Sequence, residues 1–407
     1  MPICATTACR TSRKEMTMAT KFVYMDYNAT TPLHPEVKQT IINELEMYAN
    51  ASSMHESGRK ARSRVEQARA SVAALIGASA NPEQLVFTSG GSESNNTVFA
   101  TMFHLGRRQQ RKGIVTTAIE HPCVLNAAKW LQEEGFPVTF VGVDEHGRIR
   151  MDELKAAVNH DTLLVSVMAA NNEIGTVQDM PAIAAIAKAA GAYFHSDATQ
   201  AVGKIAVDVE AWKVDYLTMS AHKIYGPKGV GGLFIRKSTP IEPLIRGGHQ
   251  EHGHRAGTYN SGSISAFGSA AELARQELAD YGTRIGALRK RLKDGFEKAI
   301  PHIRINGHPD FVLPNTLNVS FPGAEGEAIL LYLDLSGIAV STGSACASGS
   351  LDPSHVLMAT GVGPELAHGS IRFSLGRDSS EADVDYVLET VPGIIARLRA
   401  MSTVSVQ

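Results

Sequence analysis

The sequence predicts an α/β protein: a large domain on a mainly parallel seven-stranded sheet covered by helices, and a smaller α+β domain. Three observations predict it. Between about residues 83 and 236, seven short β-rich runs are apolar on both faces. Helical patterns separate several of them, and strands buried on both faces with helices between them build parallel sheets. Beyond about residue 260 this alternation gives way to a long helical stretch, then to short strands mixed with helices.

The seven runs are Leu85–Thr88, Ile114–Thr117, Val138–Val143, Leu163–Met168, Ala192–Ser196, Tyr216–Met219 and Gly232–Ile235. Val124–Leu131, Met151–Val158 and Ile183–Ala190 carry the helical period between them. Ile264–Ile300 grows more charged along its length and serves as the connecting helix. Strands are then expected at Thr316–Phe321, Ile338–Ser341 and Ser370–Leu375, with helices at Glu325–Leu333 and Glu381–Met401. On this reading residues 33–280 form the large domain, 21–32 with 281–407 the small one, and 1–20 a disordered tail.

The 407 residues suit one large or two ordinary domains. With 39 Lys and Arg against 41 Asp and Glu there is no basic excess to neutralise phosphates, which argues against nucleic acid as a partner. Hydrophobic residues at 43% and charged ones at 20% exclude a disordered or fibrous chain. No run reaches the ~20 apolar residues of a membrane span. Four cysteines, Cys4, Cys9, Cys123 and Cys346, are too few for a disulfide framework and point to a reducing, cytoplasmic setting. Arg10, Arg13 and Lys14 leave an organelle-targeting segment open, but residues 1–20 lack the apolar core of a secretory signal.

Four stretches carry chemistry. In Thr88-Ser-Gly-Gly-Ser-Glu-Ser-Asn-Asn96, glycines at a strand-to-helix turn let main chain approach an anion, with Gly91 and Ser92 as donors. The plainer alternative makes Ser92 an ordinary N-cap. In Phe194-His-Ser-Asp-Ala-Thr-Gln200, Asp197 ends a strand, where it can hold a protonated ring nitrogen, cap a helix or bind a metal. Lys223 lies 26 residues on, in Ser220-Ala-His-Lys223, at the same predicted sheet edge. Desolvated there, its amine can form a Schiff base; most lysines are merely solvated. Cys346, in Ser341-Thr-Gly-Ser-Ala-Cys-Ala-Ser-Gly-Ser350, sits among small residues that cannot pack a core, which reads as an exposed mobile loop with a nucleophilic or an inert thiol.

Smaller signals follow. His121, after Thr117-Ala-Ile-Glu, can stack on a flat ring or serve only structure, and Asn172 follows another strand. Arg372, on an apolar strand, needs an anion, either a substrate carboxylate or an internal Asp or Glu. Gly247–Thr258 is rich in Gly and His, but its spacing fits no zinc pattern, so no metal is expected. Cys123 reads as structural. An anion turn, a strand-end aspartate and a crevice lysine in this order resemble a pyridoxal 5'-phosphate site.

With these residues in hand, the chain resembles the cysteine desulfurases of the NifS/IscS type, group I, from Tyr24 to about Ser402. These are fold-type I pyridoxal-phosphate enzymes of iron–sulfur cluster assembly. The likeness rests on Tyr24-Met-Asp-Tyr-Asn-Ala-Thr-Thr-Pro32, the Ser-Gly-Gly-Ser turn, Asn171-Asn-Glu-Ile-Gly175, the Asp197 and Gln200 pair, Ser220-Ala-His-Lys223, the cysteine loop and Ser370-Ile-Arg-Phe-Ser-Leu-Gly-Arg377.

The resemblance implies that Lys223 carries the cofactor and moves the substrate's Cα proton. Asp197 would hold the pyridine nitrogen, Gln200 the ring hydroxyl, and His121 would stack on the ring. Gly91, Ser92, Ser220 and His222 would bind the phosphate, with Thr258 from the second subunit of a homodimer. Asn172 and Arg372 would hold the carboxylate of L-cysteine. Cys346 would take the sulfur as a persulfide, its proton passing to His121, and hand it to iron–sulfur scaffold or sulfur-carrier proteins. His252, His254, Ala51 and Ala347 depart from family habit without touching an assigned role. Three rivals stay open: another pyridoxal-phosphate enzyme with no need of Cys346, a non-enzymatic scaffold, and a thiol/His metal binder.

Overall fold

A computed structural model describes residues 21–342 and 352–402. The chain opens with β1 (Val23–Tyr24), α1 (Pro35–Leu45) and α2 (Glu56–Leu75). The sheet region then runs β2 (Leu85–Thr88), α3 (Gly91–Arg108), β3 (Gly113–Thr117), α4 (Pro122–Glu133), β4 (Val138–Val141), α5 (Met151–Ala157), β5 (Thr162–Ser166), α6 (Met180–Ala189), β6 (Tyr193–Asp197), α7 (Val209–Trp212), β7 (Tyr216–Ser220) and β8 (Gly231–Ile235). The remainder is α8 (Ser261–Ala299), β9 (Arg304–Asn306), β10 (Thr316–Ser320), α9 (Gly326–Leu335), β11 (Ile338–Ala339), α10 (His355–Ala359), α11 (Pro364–His368), β12 (Ser370–Ser374) and α12 (Glu381–Met401).

The seven expected runs form one seven-stranded sheet in the order β2-β8-β7-β6-β5-β3-β4. Its pairs are parallel except those made by β8, which is antiparallel to both β2 and β7. β2, β3, β5, β6 and β7 therefore all point their C-terminal ends to one edge, where an open α/β sheet binds its ligands. Residues of β2, β5, β7 and β8 are buried throughout, as helices on both faces require. Gly231 is needed where it stands, since a Cβ there would meet Gly90 Cα and Met219 O at 2.7 Å. That close approach lays the turn before α3 against β8.

α8 is a single 39-residue helix, longer at its start than the sequence pattern indicates. Ile264, Phe267 and Ala271 on its first half join the apolar core that includes Phe87, Phe194 and Leu217. Tyr281, Ile285, Leu292 and Phe296 on its second half join a separate core with Val23, Leu317, Phe373 and Val391. The second core is backed by the antiparallel sheet β12-β10-β9 and by the parallel pair β1-β11. β9, α1 and α2 have no counterpart in the sequence reading. α2 gives only a faint apolar stripe in the sequence because Ala, not Leu or Ile, forms much of its buried face, at Ala61, Ala68 and Ala73.

Candidate functional site

The sheet edge opens into a cavity of about 790 Å³. Every wall of it comes from a strand end or from what immediately follows one. Asp197 is the last residue of β6, and Ser220 the last of the neighbouring β7. A short 3₁₀ turn over Ala221–Lys223 then brings His222 and Lys223 to the same wall. His121 follows β3, Asn172 follows β5, and Gly91 and Ser92 open α3 after β2. Gln200 and, from β12, Arg372 complete the lining.

Lys223 Nζ donates to the main-chain oxygens of Asn28 (2.6 Å) and Ala29 (2.7 Å). The segment Asn28-Ala-Thr-Thr31 thus lies as a strap along the lysine turn, with Thr31 N–H and hydroxyl both donating to His222 O at 3.0 Å. His222 Nδ1 lies 3.2 Å from the Thr30 hydroxyl. Burial and the cations of Lys223, Lys228 and Lys204 hold its pKa down at about 4, so it is neutral near pH 7.

Asp197 is fixed on both oxygens. Asn95 Nδ2 donates to Oδ2 at 2.7 Å and the Thr199 N–H to Oδ1 at 2.9 Å. Neither Asn95 nor Thr199 carried a role in the sequence reading. Beside them, the Asn95 Oδ1 and Thr199 Oγ1 atoms are buried without a protein partner among the described residues. A Cβ on Gly91 would approach Thr199 Oγ1 to 3.1 Å, so the helix start and this hydroxyl form one narrow cradle.

The N-cap of α3 is Gly90, with no side-chain bond, and Ser92 lies inside the helix. The N-cap reading of Ser92 is therefore corrected: its position in the first turn leaves it at the cavity wall instead of closing the helix. Main-chain N–H groups of that turn, Ser220, His222 and the positive end of an 18-residue helix suit a phosphate. Thr258 lines a different cavity, with Ser89 and Gly229, and does not reach Lys223 within its own chain. The loop bearing it is pinned by a buried bidentate pair, Arg69 Nη1 and Nη2 to Glu251 at 2.6 and 2.8 Å.

His121 caps α4, its Nδ1 accepting the Cys123 N–H at 3.2 Å with the Cys123 thiol 3.0 Å away. A ring nitrogen that accepts carries no proton, so the resting tautomer holds its proton on Nε2. Burial lowers the pKa of His121. This differs from the expectation that His121 takes a proton from Cys346: an Nε2 already protonated offers a proton instead. Cys123 lines the cavity, and burial pushes its thiol up to about 12, the inert behaviour expected of a structural cysteine.

At the opposite end Arg372 is 2% exposed. Nη1 donates to Asn172 O (3.0 Å), Nη2 pairs with Asp26 (2.8 Å), and Nε has no protein partner among the described residues. Both sequence readings thus have a foothold: an internal aspartate holds one nitrogen, and a second nitrogen stays unsatisfied. Two buried carboxyls flank this end. Glu120 accepts the Thr117 hydroxyl and the Met168 N–H, and burial raises its pKa to about 8. Glu173 accepts the Ser354 hydroxyl at 2.5 Å, and burial raises it to about 7. Nothing in the sequence marks either as buried. Cys346 lies outside the described residues. The flanks of its loop are described: Ser341 pairs with Arg372 through main chain, and Asp352 to His355 line the cavity.

Residues 23–387 match the aminotransferase class-V family. The chain is 46% identical over 385 residues to cysteine desulfurase IscS of Clostridium botulinum, covering 94% of this chain and 96% of that protein. It is 47% identical to cysteine desulfurase 2 of Trichormus variabilis, with 94% and 95% covered. It belongs to the cysteine desulfurases.

Among solved structures, a NifS-like protein superimposes on this desulfurase with TM-score 0.87 at 39% identity, covering 93% of this chain and all of that one. SspA, solved in complex with cysteine, gives TM-score 0.76 at 32% identity, with 87% and 98% covered. The NifS/IscS resemblance and the fold-type I architecture are both sustained. Among the described residues of the desulfurase no helix is long and apolar enough to cross a membrane, and no His/Cys/Asp/Glu group could hold a metal ion.

Proposed function

We propose that this cavity binds pyridoxal 5'-phosphate and L-cysteine, and that the chain converts L-cysteine to L-alanine while Cys346 collects the sulfur. One observation carries the reading: a lysine, a strand-end aspartate, a helix-start anion cradle and a buried arginine converge on one cavity. The orphaned Thr199 hydroxyl and the neutral His222 suit the phosphate end. Lys223 would hold the cofactor's aldehyde, Asp197 its ring nitrogen and Gln200 its ring oxygen, with His121 over the ring. Gly91, Ser92, Ser220 and His222 would take the phosphate, joined by Thr258 from the second subunit of a homodimer. Bound there, the cofactor supplies an electron sink for charge developing at the substrate Cα.

The chain's own residues do the rest. Asn172 and Arg372 bind and orient the substrate carboxylate, Arg372 through the nitrogen that lacks a protein partner. Lys223 removes the Cα proton, held on line by the carbonyls of Asn28 and Ala29. Cys346 attacks the substrate sulfur as thiolate. The C–S bond breaks with its electron pair on the β-carbon, which takes a proton to complete alanine, and a persulfide stays on Cys346. The Nε2 proton of His121 is placed to meet that developing charge. Sulfur then passes to acceptor proteins, iron–sulfur scaffolds or sulfur carriers, in a reducing, cytoplasmic setting. Residues 33–280 would act as the large domain, and 21–32 with 281–407 as the small one.

The experiment is alanine and sulfide production from L-cysteine by wild type and Cys346→Ala. Wild type yields both, whereas Cys346→Ala keeps the cofactor's visible absorption and releases no sulfur. Desulfuration retained in the variant would favour a pyridoxal-phosphate enzyme of another specificity.

A further inference from the structure

Lys204 is a second lysine beside the cavity, and none of the roles above uses it. It is 3% exposed. Its Nζ donates to Gln200 Oε1 at 2.5 Å and to Asn28 Oδ1 at 3.0 Å. Neither acceptor is a carboxylate, and the ionisable groups it faces are Lys223, Arg372 and His222. Burial and the two neighbouring cations pull its proton affinity well down. An uncharged amine still carries two N–H groups, which matches the two acceptors present. A buried lysine without a carboxylate is costly, so its neighbours must depend on those two bonds.

Asn28 shows what depends on them. It is 1% exposed, and all its polar atoms are engaged. Its Oδ1 accepts from Lys204 and Asn315, and its Nδ2 donates to Asn172 O and the Thr316 hydroxyl. Its main-chain oxygen accepts from Gln200 Nε2 at 3.0 Å and from Lys223 at 2.6 Å. The Gln200 amide is thus read at both ends. Lys204 demands its oxygen and Asn28 O demands one of its two amide hydrogens. A flipped amide would set oxygen against oxygen at Asn28 and NH₂ against amine at Lys204. The remaining N–H is left for the cavity that Gln200 lines.

We propose that Lys204 is a positioning residue that, through Asn28, locks the Gln200 amide with its N–H toward the cofactor's ring oxygen and steadies the carbonyl gripping Lys223. This rests on the cofactor reading above. A donor at that oxygen stabilises its deprotonated form, so losing the lock makes the ring harder to deprotonate.

The test loads apoprotein with pyridoxal 5'-phosphate in wild type, K204M, Q200L and the double variant, with K204Q should K204M not fold. The readouts are the cofactor's dissociation constant and the pH midpoint of its visible absorption change. K204M, which keeps the side chain's length, is expected to weaken binding about tenfold and raise the midpoint by about one pH unit, the size of one lost hydrogen bond. Q200L should do much the same, and the double variant no more than Q200L, because both changes remove one lock. K204Q, keeping one amide donor, should fall between K204M and wild type. An unmoved midpoint in K204M (or K204Q in its place), or effects that add in the double variant, would overturn the assignment. Wild type that binds no pyridoxal 5'-phosphate would instead overturn the reading of the whole site.

Discussion

The two ends of the cavity are held together by different physics. At the ring end, each group sits on or just after a strand and is fixed by short neutral or singly charged bonds: Asp197 by Asn95 and Thr199, Lys223 by two carbonyls of the strap. At the carboxylate end, ionisable groups are buried close together. Arg372 is paired on one nitrogen only, and Glu173 and Glu120 are held near neutrality by burial. The first arrangement is stiff and indifferent to pH near neutrality. The second stores its specificity in charges that a substrate must complete, at a cost in stability that varies with pH.

This contrast breaks most sharply at Lys223. Lys223→Ala should lower alanine production by at least about 10³-fold, within the range of a lost general acid–base group, and abolish borohydride trapping of the cofactor. A label trapped at any other lysine would refute the ring-end assignment. Arg372→Gln tests the other end. KM for L-cysteine is expected to rise about 30- to 150-fold, what ~2–3 kcal/mol of a lost charged bond amounts to, with a smaller change in kcat. An equal fall in kcat with KM unchanged would remove Arg372 from substrate binding.

Asn95→Ala should weaken pyridoxal 5'-phosphate binding about five- to tenfold, the scale of one hydrogen bond, since Asp197 keeps its Thr199 donor. The smallest effect is on stability. Glu120 binds its proton more tightly folded than unfolded, so it stabilises the fold below its unfolded pKa and progressively less as pH rises to about 8. The Tm of wild-type apoprotein should therefore decline over that range, and Glu120→Gln should flatten the decline. A variant slope equal to that of wild type would show that Glu120 ionises in the folded state as it does unfolded.

The ring end was largely legible in the sequence because its groups travel in contiguous words. Strand, then Asp197, and strand, then Ser220-Ala-His-Lys223, place two functions on adjacent strands without any knowledge of long-range pairing. The carboxylate end was not. Asp26 meets Arg372 across 346 residues, and Glu173 meets Ser354 across 181. Nothing in one letter says that a glutamate is buried. Asn28 stood in plain view within Tyr24–Pro32, but its role lies in partners drawn from five distant segments. Lys204 sits four residues after Gln200, a spacing that signals contact only once the chain there is known to coil. The antiparallel β8 and the Ala-rich stripe of α2 escaped because pairing direction and small-residue packing leave little trace in local composition.

The undivided α8 carries a mechanical consequence. At 1.5 Å per residue its 39 residues make a rod about 58 Å long, threaded through both apolar cores. A scissor-like swing of one core away from the other would have to snap that rod or unzip one of its buried halves. Small molecules must therefore come and go through the cavity's standing mouth, and turnover proceeds inside a frame that does not breathe along its length.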